Sequence, residues 1–338
     1  MPDIRFLIIG AQKAGTTSLF EYMRRHPEIH MPSEKEISFF SRRYPMGVEW
    51  YTNTVVRGAS PNAVCGEASV GYMCGTPHAN IAENERLGSA ADDRFSEPLE
   101  NIIPRRIKAL LPDVRLICLL RDPVERAYSH YQMAILEGAE QRSFDDAIAS
   151  LLTDQALQTA RVTPTASNGY IVNGEYHRVL AGYLQVFPRE QLLVVFSDEL
   201  SSNTSATLIR IYDFLGVSPN FLPDNLGVRY RAAATERRIS GFDLYSWQEY
   251  MAKFGPLRTF WHGLPAALRT KIDRSYRLIS YRMTMWNARR GEPASGISDE
   301  TQALLARYYL SDSEALGQLL GLEIPWLAQL RQPTQPRR

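Results

Sequence analysis

FLIIGAQKAGTTSL, at residues 6–19, is the stretch that decides the fold of this chain. Its four leading apolar residues have no polar interruption, as in a strand that is buried on both faces of a parallel sheet. Gly10 and Gly15 allow a tight turn, and the segment from Thr17 to Arg25 has helix-forming composition. We therefore predict a strand, a loop and a helix in immediate succession.

The loop between this strand and helix is suited to binding an anion. Backbone N–H groups and the positive end of the helix dipole meet there, and Lys13 adds a full charge. The nucleotide-binding loop G-x-x-x-x-G-K-[ST] places its lysine after the second glycine, whereas Lys13 precedes Gly15. The order predicts a relative of the P-loop proteins that is not an ATPase.

Composition sets broad limits on the class of protein. With 338 residues, of which 44% are hydrophobic, the chain can form a sizeable core, and its net charge of +1 gives no argument for nucleic acid as a partner. The 3 cysteines lack metal-ligand spacing, and we interpret them as reduced thiols of a cytoplasmic protein. No secretory leader is expected, because the N-terminal apolar run has four residues and is already used as the first strand. No transmembrane segment is expected, because no apolar run approaches the roughly 20 residues that span a bilayer.

Strand and helix patterns alternate along the chain, which predicts an α/β fold. One of the helices is expected over residues 144–157. We expect three layers, with a central, mainly parallel sheet flanked by helices and an extra C-terminal helical region. The expected organisation is a single domain over residues 1–338. Its parts are a core at about 4–216, an insertion at 75–100, a basic aromatic helical region at 229–290 and a C-terminal helix at 298–320.

A second motif, RDPVERAYS, follows the predicted core strand 114–120. Pro123 suits the first turn of a helix, so Arg121 is predicted at the carboxyl end of the strand and Ser129 about two turns into the helix. Arginine offers planar, permanently charged donors and serine offers a hydroxyl, which together suit a phosphate group.

The two motifs resemble those of sulfotransferases that use 3′-phosphoadenosine 5′-phosphosulfate (PAPS), of the bacterial and heparan sulfate type. The resemblance implies a 5′-phosphosulfate loop after the first strand and a 3′-phosphate site at Arg-x-Pro-x-x-Arg-x-x-Ser. A basic, glycine-containing loop before the last helix is matched loosely. The residues implied for donor binding are Gln12, Lys13, Ala14, Gly15, Thr16, Thr17, Ser18, Arg121, Ser129, Arg289, Arg290 and Gly291.

The segment KEISFF at residues 35–40 resembles the Lys-Glu-x-x-Phe-Phe segment of the same family. The resemblance implies that Glu36 is the catalytic general base. Because charge builds on the bridging oxygen of the leaving group, our hypothesis is that Lys13 neutralises it. The alternative interpretation of the segment is a charged pair that leads into an edge strand. Ala68 departs from the pattern, because some relatives carry a catalytic lysine there. Three histidines are alternative bases: His30, His78 and His130.

We therefore predict in-line transfer of a sulfuryl group from PAPS to a hydroxyl of a small-molecule, glycan or lipid-linked acceptor, with 3′-phosphoadenosine 5′-phosphate (PAP) as product and no metal. Region 229–290 contains 13 Arg or Lys against 4 Asp or Glu. It would suit an acceptor that is anionic or lipid-linked, a membrane surface, or a solvated basic face. A kinase of a small alcohol or nucleoside, with Asp122 as magnesium ligand, and a non-catalytic PAPS-binding protein are the competing hypotheses. A homodimer remains open.

Overall fold

A computed structural model describes residues 3–74, 99–228 and 296–332 of the chain. Within these ranges five strands form one sheet in the order β2-β3-β1-β4-β5, and every neighbouring pair is parallel. The strands are β1 (Ile4–Gly10), β2 (Ile29–His30), β3 (Val64–Ala68), β4 (Arg115–Leu120) and β5 (Leu192–Phe196). The predicted parallel sheet is confirmed.

Helices connect and flank these strands, as the alternating pattern predicted. In chain order they are α1 (Thr16–Met23), α2 (Val48–Val56), α3 (Gly71–Cys74), α4 (Leu99–Leu110), α5 (Pro123–Leu136), α6 (Phe144–Leu151), α7 (Asp154–Val162), α8 (Tyr176–Leu184), α9 (Ser197–Ser202), α10 (Thr204–Leu215), α11 (Asp299–Leu320) and α12 (Leu327–Arg331). The three-layer α/β class expected from the sequence is confirmed.

The first strand lies at the centre of the sheet because its apolar run can be covered on both faces. Phe6 through Ile9 are fully buried, and β1 pairs with β3 on one side and β4 on the other. The chain then turns at Gly10, where a Cβ atom would lie 2.7 Å from Met73 Sδ of α3. Only glycine allows this close approach, which brings α3 against the end of the central strand.

Two segments differ from the sequence-based expectation. The edge strand that was the alternative interpretation of residues 35–40 is absent: residues 33–38 form an irregular loop, and Phe39–Arg43 form a π-helical turn. The helix expected over 144–157 is two helices, α6 and α7. Thr153 separates them because its side chain accepts from the N–H of Ala156 at 3.3 Å and begins a new helix.

The last long helix is α11, which begins after Ser298 and ends at Gly321. The Ser298 hydroxyl accepts from the N–H of Thr301 at 3.2 Å, and Gly321 has the left-handed φ of 63° that often ends a helix. Within the described ranges, no helix combines the length and the apolar character needed to cross a membrane.

The chain divides into two compact units, one of Met1–His130, Phe144–Arg231 and Ile297–Arg338, the other of Tyr131–Ser143 and Ala232–Gly296. In the second unit the structure describes residues 131–143 and 296, where a buried Glu140 pairs with Arg142 at 2.7 Å. The single-domain organisation stays a prediction. Most of the insertion at 75–100 and the basic aromatic region at 229–290 lie outside the described residues.

Candidate active site

The loop after β1 has the backbone shape of an anion-binding turn. Lys13 and Gly15 are in the left-handed region, with φ of 70° and 96°. The N–H of Ala14 donates to the carbonyl of Ala11 at 3.2 Å, and that of Leu19 donates to Gly15 at 3.2 Å. The amides of Thr16 and Thr17 lie in the first helical turn, where no intrahelical acceptor exists. These amides are therefore placed to meet a ligand at the N-terminus of α1.

Neighbouring elements hold the loop by its carbonyl oxygens. Arg121 Nη1 donates to the Lys13 carbonyl at 3.3 Å, and Ser197 Oγ donates to the Ala14 carbonyl at 2.5 Å. The N–H of Gly15 shares a trans peptide with the Ala14 carbonyl, so it points away from Ser197. The Gly15 N–H is thus directed to the side of the loop opposite Ser197.

Gln12 adds an unsatisfied acceptor to the same loop. Its Oε1 is buried and has no hydrogen-bond partner among the described residues. Buried polar atoms without partners are uncommon, and each one calls for an explanation such as a missing ligand. The donor amides, the lysine and this acceptor fit a ligand that carries both an anion and hydroxyl or amino groups.

Arg121 is the first residue after β4, as the sequence predicted. Its Nε and Nη2 donate to Glu125 Oε2 at 3.2 and 3.1 Å, so the guanidinium is shared between the loop and this carboxylate. The Tyr176 hydroxyl donates to the Arg121 carbonyl at 2.9 Å and fixes the backbone at this position. Ser129 lies two turns into α5 and is 7% exposed.

Glu36 lies at the carboxyl end of β3, the neighbour of β1. Its N–H donates to the Ala68 carbonyl at 2.9 Å, and its Oε2 accepts from the N–H of Val70 at 3.0 Å. Its Oε1 pairs with Lys35 Nζ, and the side chain remains 39% exposed. The structure therefore places the loop, Glu36 and Arg121 at one edge of the sheet, at the ends of three adjacent strands.

Sequence reasoning did not single out Glu67, a completely buried residue of β3 next to Ala68, whose carbonyl accepts from the Glu36 N–H. Burial raises the pKa of Glu67 to about 7. Hydrogen bonds from Tyr72 and Ser69 act in the opposite direction, the charge of Glu36 raises the pKa further, and the charge of Lys35 lowers it. The available signal was one acidic residue within the otherwise apolar or small residues of a short strand.

The histidines occupy different positions relative to this edge. His130 is buried against the Tyr170 ring, and burial together with Arg126 and Lys13 holds its pKa well below the ordinary value. His30 is the last residue of β2 and pairs with Cys65 of β3. Cys65 comes three positions before Ala68, so His30 lies roughly 10 Å, measured along the strands, from the end of β3. His78, like Arg289, Arg290 and Gly291, lies outside the described residues.

Candidate metal ligands do not cluster in the described ranges. No group of three or more His, Cys, Asp or Glu side chains there could hold a metal ion. The three cysteines are buried and free, and burial raises the pKa of Cys74 to about 12.

The fold and the site define a class: α/β proteins with a phosphate-loop-like turn after the first strand and charged residues at the ends of the neighbouring strands. The chain matches the sulfotransferase domain family over residues 3–228. This protein therefore belongs to the sulfotransferase domain family.

Two relatives illustrate the match. The human bifunctional heparan sulfate N-deacetylase/N-sulfotransferase 2 is 32% identical over 226 residues, which cover 64% of this chain and 22% of the relative. The human heparan sulfate glucosamine 3-O-sulfotransferase 3B1 is 29% identical over 211 residues, which cover 62% of this chain and 45% of the relative. The matched segments thus span less than half the length of either relative.

A solved structure supports the fold. A sulfotransferase from Alicyclobacillus acidocaldarius superposes with a TM-score of 0.62 and 20% sequence identity, covering 98% of this chain and 100% of that one. At this identity the likeness concerns the fold.

Proposed function

We propose that this protein transfers the sulfuryl group of PAPS to a hydroxyl of a small-molecule, glycan or lipid-linked acceptor and releases PAP. One observation carries the proposal. The anion-binding loop, Glu36 and Arg121 lie at the carboxyl ends of the adjacent strands β1, β3 and β4. Ligands of open parallel sheets bind at this edge.

The donor would be held at two places. The amides of Gly15, Thr16 and Thr17 and the charge of Lys13 suit the 5′-phosphosulfate, with Gln12, Ala14 and Ser18 completing the loop. Arg121 and Ser129 suit the 3′-phosphate, and we assign Arg289, Arg290 and Gly291 to the same group by resemblance. A phosphate at Arg121 would compete with Glu125 for the guanidinium.

The transfer itself is an in-line displacement at sulfur. Glu36 accepts the proton of the acceptor hydroxyl while that oxygen bonds to sulfur, and the bond from sulfur to the 5′-phosphate oxygen breaks. Negative charge grows on the departing phosphate oxygen, where Lys13 and the loop amides stabilise it. No proton donor is required for the leaving group, because PAP leaves as an anion.

The names of the relatives suggest which acceptors to test first. One is named for the 3-O position of glucosamine in heparan sulfate and another for N-sulfation. We propose a saccharide that contains glucosamine as the first candidate, ahead of lipid-linked and small-molecule acceptors. Ala68, where some relatives have a lysine, argues against assuming a heparan-type acceptor without this test.

The position of Asp122 weighs against the kinase hypothesis. Its Oδ1 accepts from the N–H groups of Val124 and Glu125 at 2.8 and 3.1 Å, as the cap of helix α5. This oxygen stabilises the helix start, whereas a kinase would need the carboxylate for magnesium. The contacts of Glu36 at the same edge favour an enzyme over a non-catalytic PAPS-binding protein.

Calorimetric titration with PAP tests the donor directly. We expect tight PAP binding, weak binding of ATP with magnesium, and a loss of PAP affinity in Lys13→Ala and Arg121→Ala. Arg5→Ala, an exposed arginine near the opposite end of β1, is the matched control and should bind PAP normally. Preference for ATP with magnesium, or no PAP binding, would reject the proposal. Transfer of labelled sulfate from PAPS to a panel of saccharides, lipid-linked glycans and small alcohols then identifies the acceptor.

A further inference from the structure

Glu67 is a buried carboxyl group that the proposed transfer does not use. It is the penultimate residue of β3 and is 0% exposed. Ser69 Oγ donates to its Oε2 at 2.7 Å, and the Tyr72 hydroxyl donates to its Oε1 at 2.5 Å. Both carboxylate oxygens are therefore engaged by hydroxyl groups.

The same two hydroxyls also bind the backbone that follows Glu36. Ser69 Oγ accepts from the N–H of Ser38 at 2.8 Å, and the Tyr72 hydroxyl accepts from the N–H of Phe39 at 3.0 Å. Two consecutive amides of the Glu36 loop are thus connected, each through one hydroxyl, to a single carboxylate.

The direction of these bonds follows from the chemistry of the groups. A backbone N–H only donates, so each hydroxyl presents a lone pair to an amide of the loop and gives its own proton to a Glu67 oxygen. Glu67 thereby orients both hydroxyls as acceptors for the loop.

The loop needs such support because of its backbone conformation. Glu36 and Ser38 have φ of 66° and 54°, in the left-handed region that is unfavourable for residues with a side chain. Residues held in this region persist only where surrounding contacts fix them. The strand end supplies further contacts, since Glu36 bonds the Ala68 carbonyl and the Val70 amide.

We propose that Glu67 is a positioning residue for Glu36: through Ser69 and Tyr72 it holds the amides of Ser38 and Phe39 and so sets where the Glu36 carboxylate meets the acceptor hydroxyl. The proposal rests on the proposed function, in which Glu36 is the base. Glu67 itself touches neither donor nor acceptor.

The first test is Glu67→Gln in the full-length protein with PAPS and the acceptor found by the panel. The amide has one acceptor oxygen in place of two, so the hydroxyl of either Ser69 or Tyr72 loses its acceptor and with it its orientation. We expect kcat to fall by about 100-fold, the effect of displacing a catalytic group by about 1 Å. The KM for PAPS and the Kd for PAP should stay within about twofold, because the phosphate loop is untouched.

Two tyrosine variants separate positioning from general core damage. Tyr72→Phe keeps the ring against Phe40 but removes the hydroxyl that links Glu67 to the Phe39 amide. This variant should lower kcat with an unchanged KM for PAPS. Tyr309→Phe removes an equally buried hydroxyl, which donates to the Ile171 carbonyl at 2.8 Å, and should leave kcat unchanged. Equal losses of kcat in Tyr72→Phe and Tyr309→Phe would overturn the proposal.

Hydrogen exchange of the Ser38 and Phe39 amides, resolved by NMR, tests the network without any acceptor. We expect exchange at both amides to accelerate at least about tenfold in Glu67→Gln, with Leu116 in β4 unaffected. Unchanged exchange overturns the positioning proposal even if the wild-type protein is an active sulfotransferase. If the wild-type protein does not bind PAP, the proposed function fails, and the proposal that depends on it is rejected with it.

Discussion

Arg121 Nη1 donates to the carbonyl oxygen of Lys13 at 3.3 Å, while Nε and Nη2 of the same guanidinium bond Glu125. The residue predicted for the 3′-phosphate therefore contacts the loop predicted for the 5′-phosphosulfate. Through Arg121, the two halves of the proposed donor site depend on each other.

Glu125→Gln is expected to strengthen PAP binding. The side chains of Arg121 and Glu125 are 32% and 37% exposed, so their pairing is screened by water and contributes only about 0.2–1 kcal/mol. Release of Arg121 should therefore raise PAP affinity by a factor of about 1.5 to 5, measured by calorimetry. Glu314→Gln, which breaks the exposed pair with Arg331, is the control and should have no effect. Weaker PAP binding in Glu125→Gln would show instead that Glu125 orients Arg121 for the phosphate.

Gly15→Ala is expected to weaken PAP binding through the backbone. A Cβ atom at Gly15 would lie 3.7 Å from Leu200 Cδ2, an ordinary contact, but φ is 96°. The left-handed conformation costs a residue with a side chain about 1–2 kcal/mol, and relaxing it distorts the loop. We expect roughly tenfold weaker PAP binding.

Gly58→Ala is the matched control for that change. Gly58 has φ of 81° with open space around its Cβ position. Both variants should lose a similar free energy of unfolding in urea, and only Gly15→Ala should lose PAP affinity. Equal PAP affinities in the two variants would argue against the loop as the donor site.

Glu175→Gln is expected to destabilise the fold. Glu175 is buried, with 5% of its side chain exposed, and accepts from Arg161 Nη2 at 2.8 Å as well as from Arg178 and Tyr308. It joins α7 to α11. Removing its charge leaves two half-buried arginines without their carboxylate, which should lower the free energy of unfolding by about 3 kcal/mol.

Urea unfolding measures this loss. Asp224→Asn, which breaks an exposed pair with Arg25, should cost less than about 1 kcal/mol. If the two variants lose the same free energy of unfolding, the buried network contributes no more than a surface pair.

Glu67 should make the stability of the protein depend on pH. Its pKa is raised from 4.5 to about 7, so the folded state binds more protons than the unfolded state between these values. Stability is then highest below the unfolded pKa and falls as pH rises through the folded one. The loss approaches roughly 3 kcal/mol, at about 1.4 kcal/mol for each pH unit between the two pKa values.

Urea unfolding of the wild-type protein and Glu67→Gln at pH 5 and pH 8 checks this dependence. Between pH 5 and pH 8 the wild-type protein should lose free energy of unfolding relative to Glu67→Gln, which has no carboxyl group to titrate at this position. A pH-independent difference would show that Glu67 keeps an ordinary pKa. The proposed positioning role would explain why a costly carboxylate remains in the core.

Local patterns predicted much of the fold, because they reflect local physics. An apolar run such as residues 6–9 is typical of a strand buried on both faces of a sheet, and a proline such as Pro123 is favoured in the first turn of a helix. The break between α6 and α7 was missed because Thr153 competes as a cap, which apolar periodicity does not register. The edge strand at residues 35–40 was a wrong alternative, because the Glu36 N–H bonds the carbonyl of Ala68 at the end of β3 and the Ser38 and Phe39 amides bond side chains that follow β3.

The sequence by itself determined the central strands β1 and β4, the turn at Gly10 and Gly15, and the charged residues Lys13 and Arg121 that follow those strands, whereas the short edge strand β2 (Ile29–His30) was not predicted. Tertiary structure alone decided what those charges contact. Glu125 shares Arg121 with the loop, and Glu67 holds two amides through Ser69 and Tyr72. Strand and turn preferences are set by neighbours along the chain, whereas these hydrogen bonds join residues that only the folded sheet brings within about 3 Å of each other.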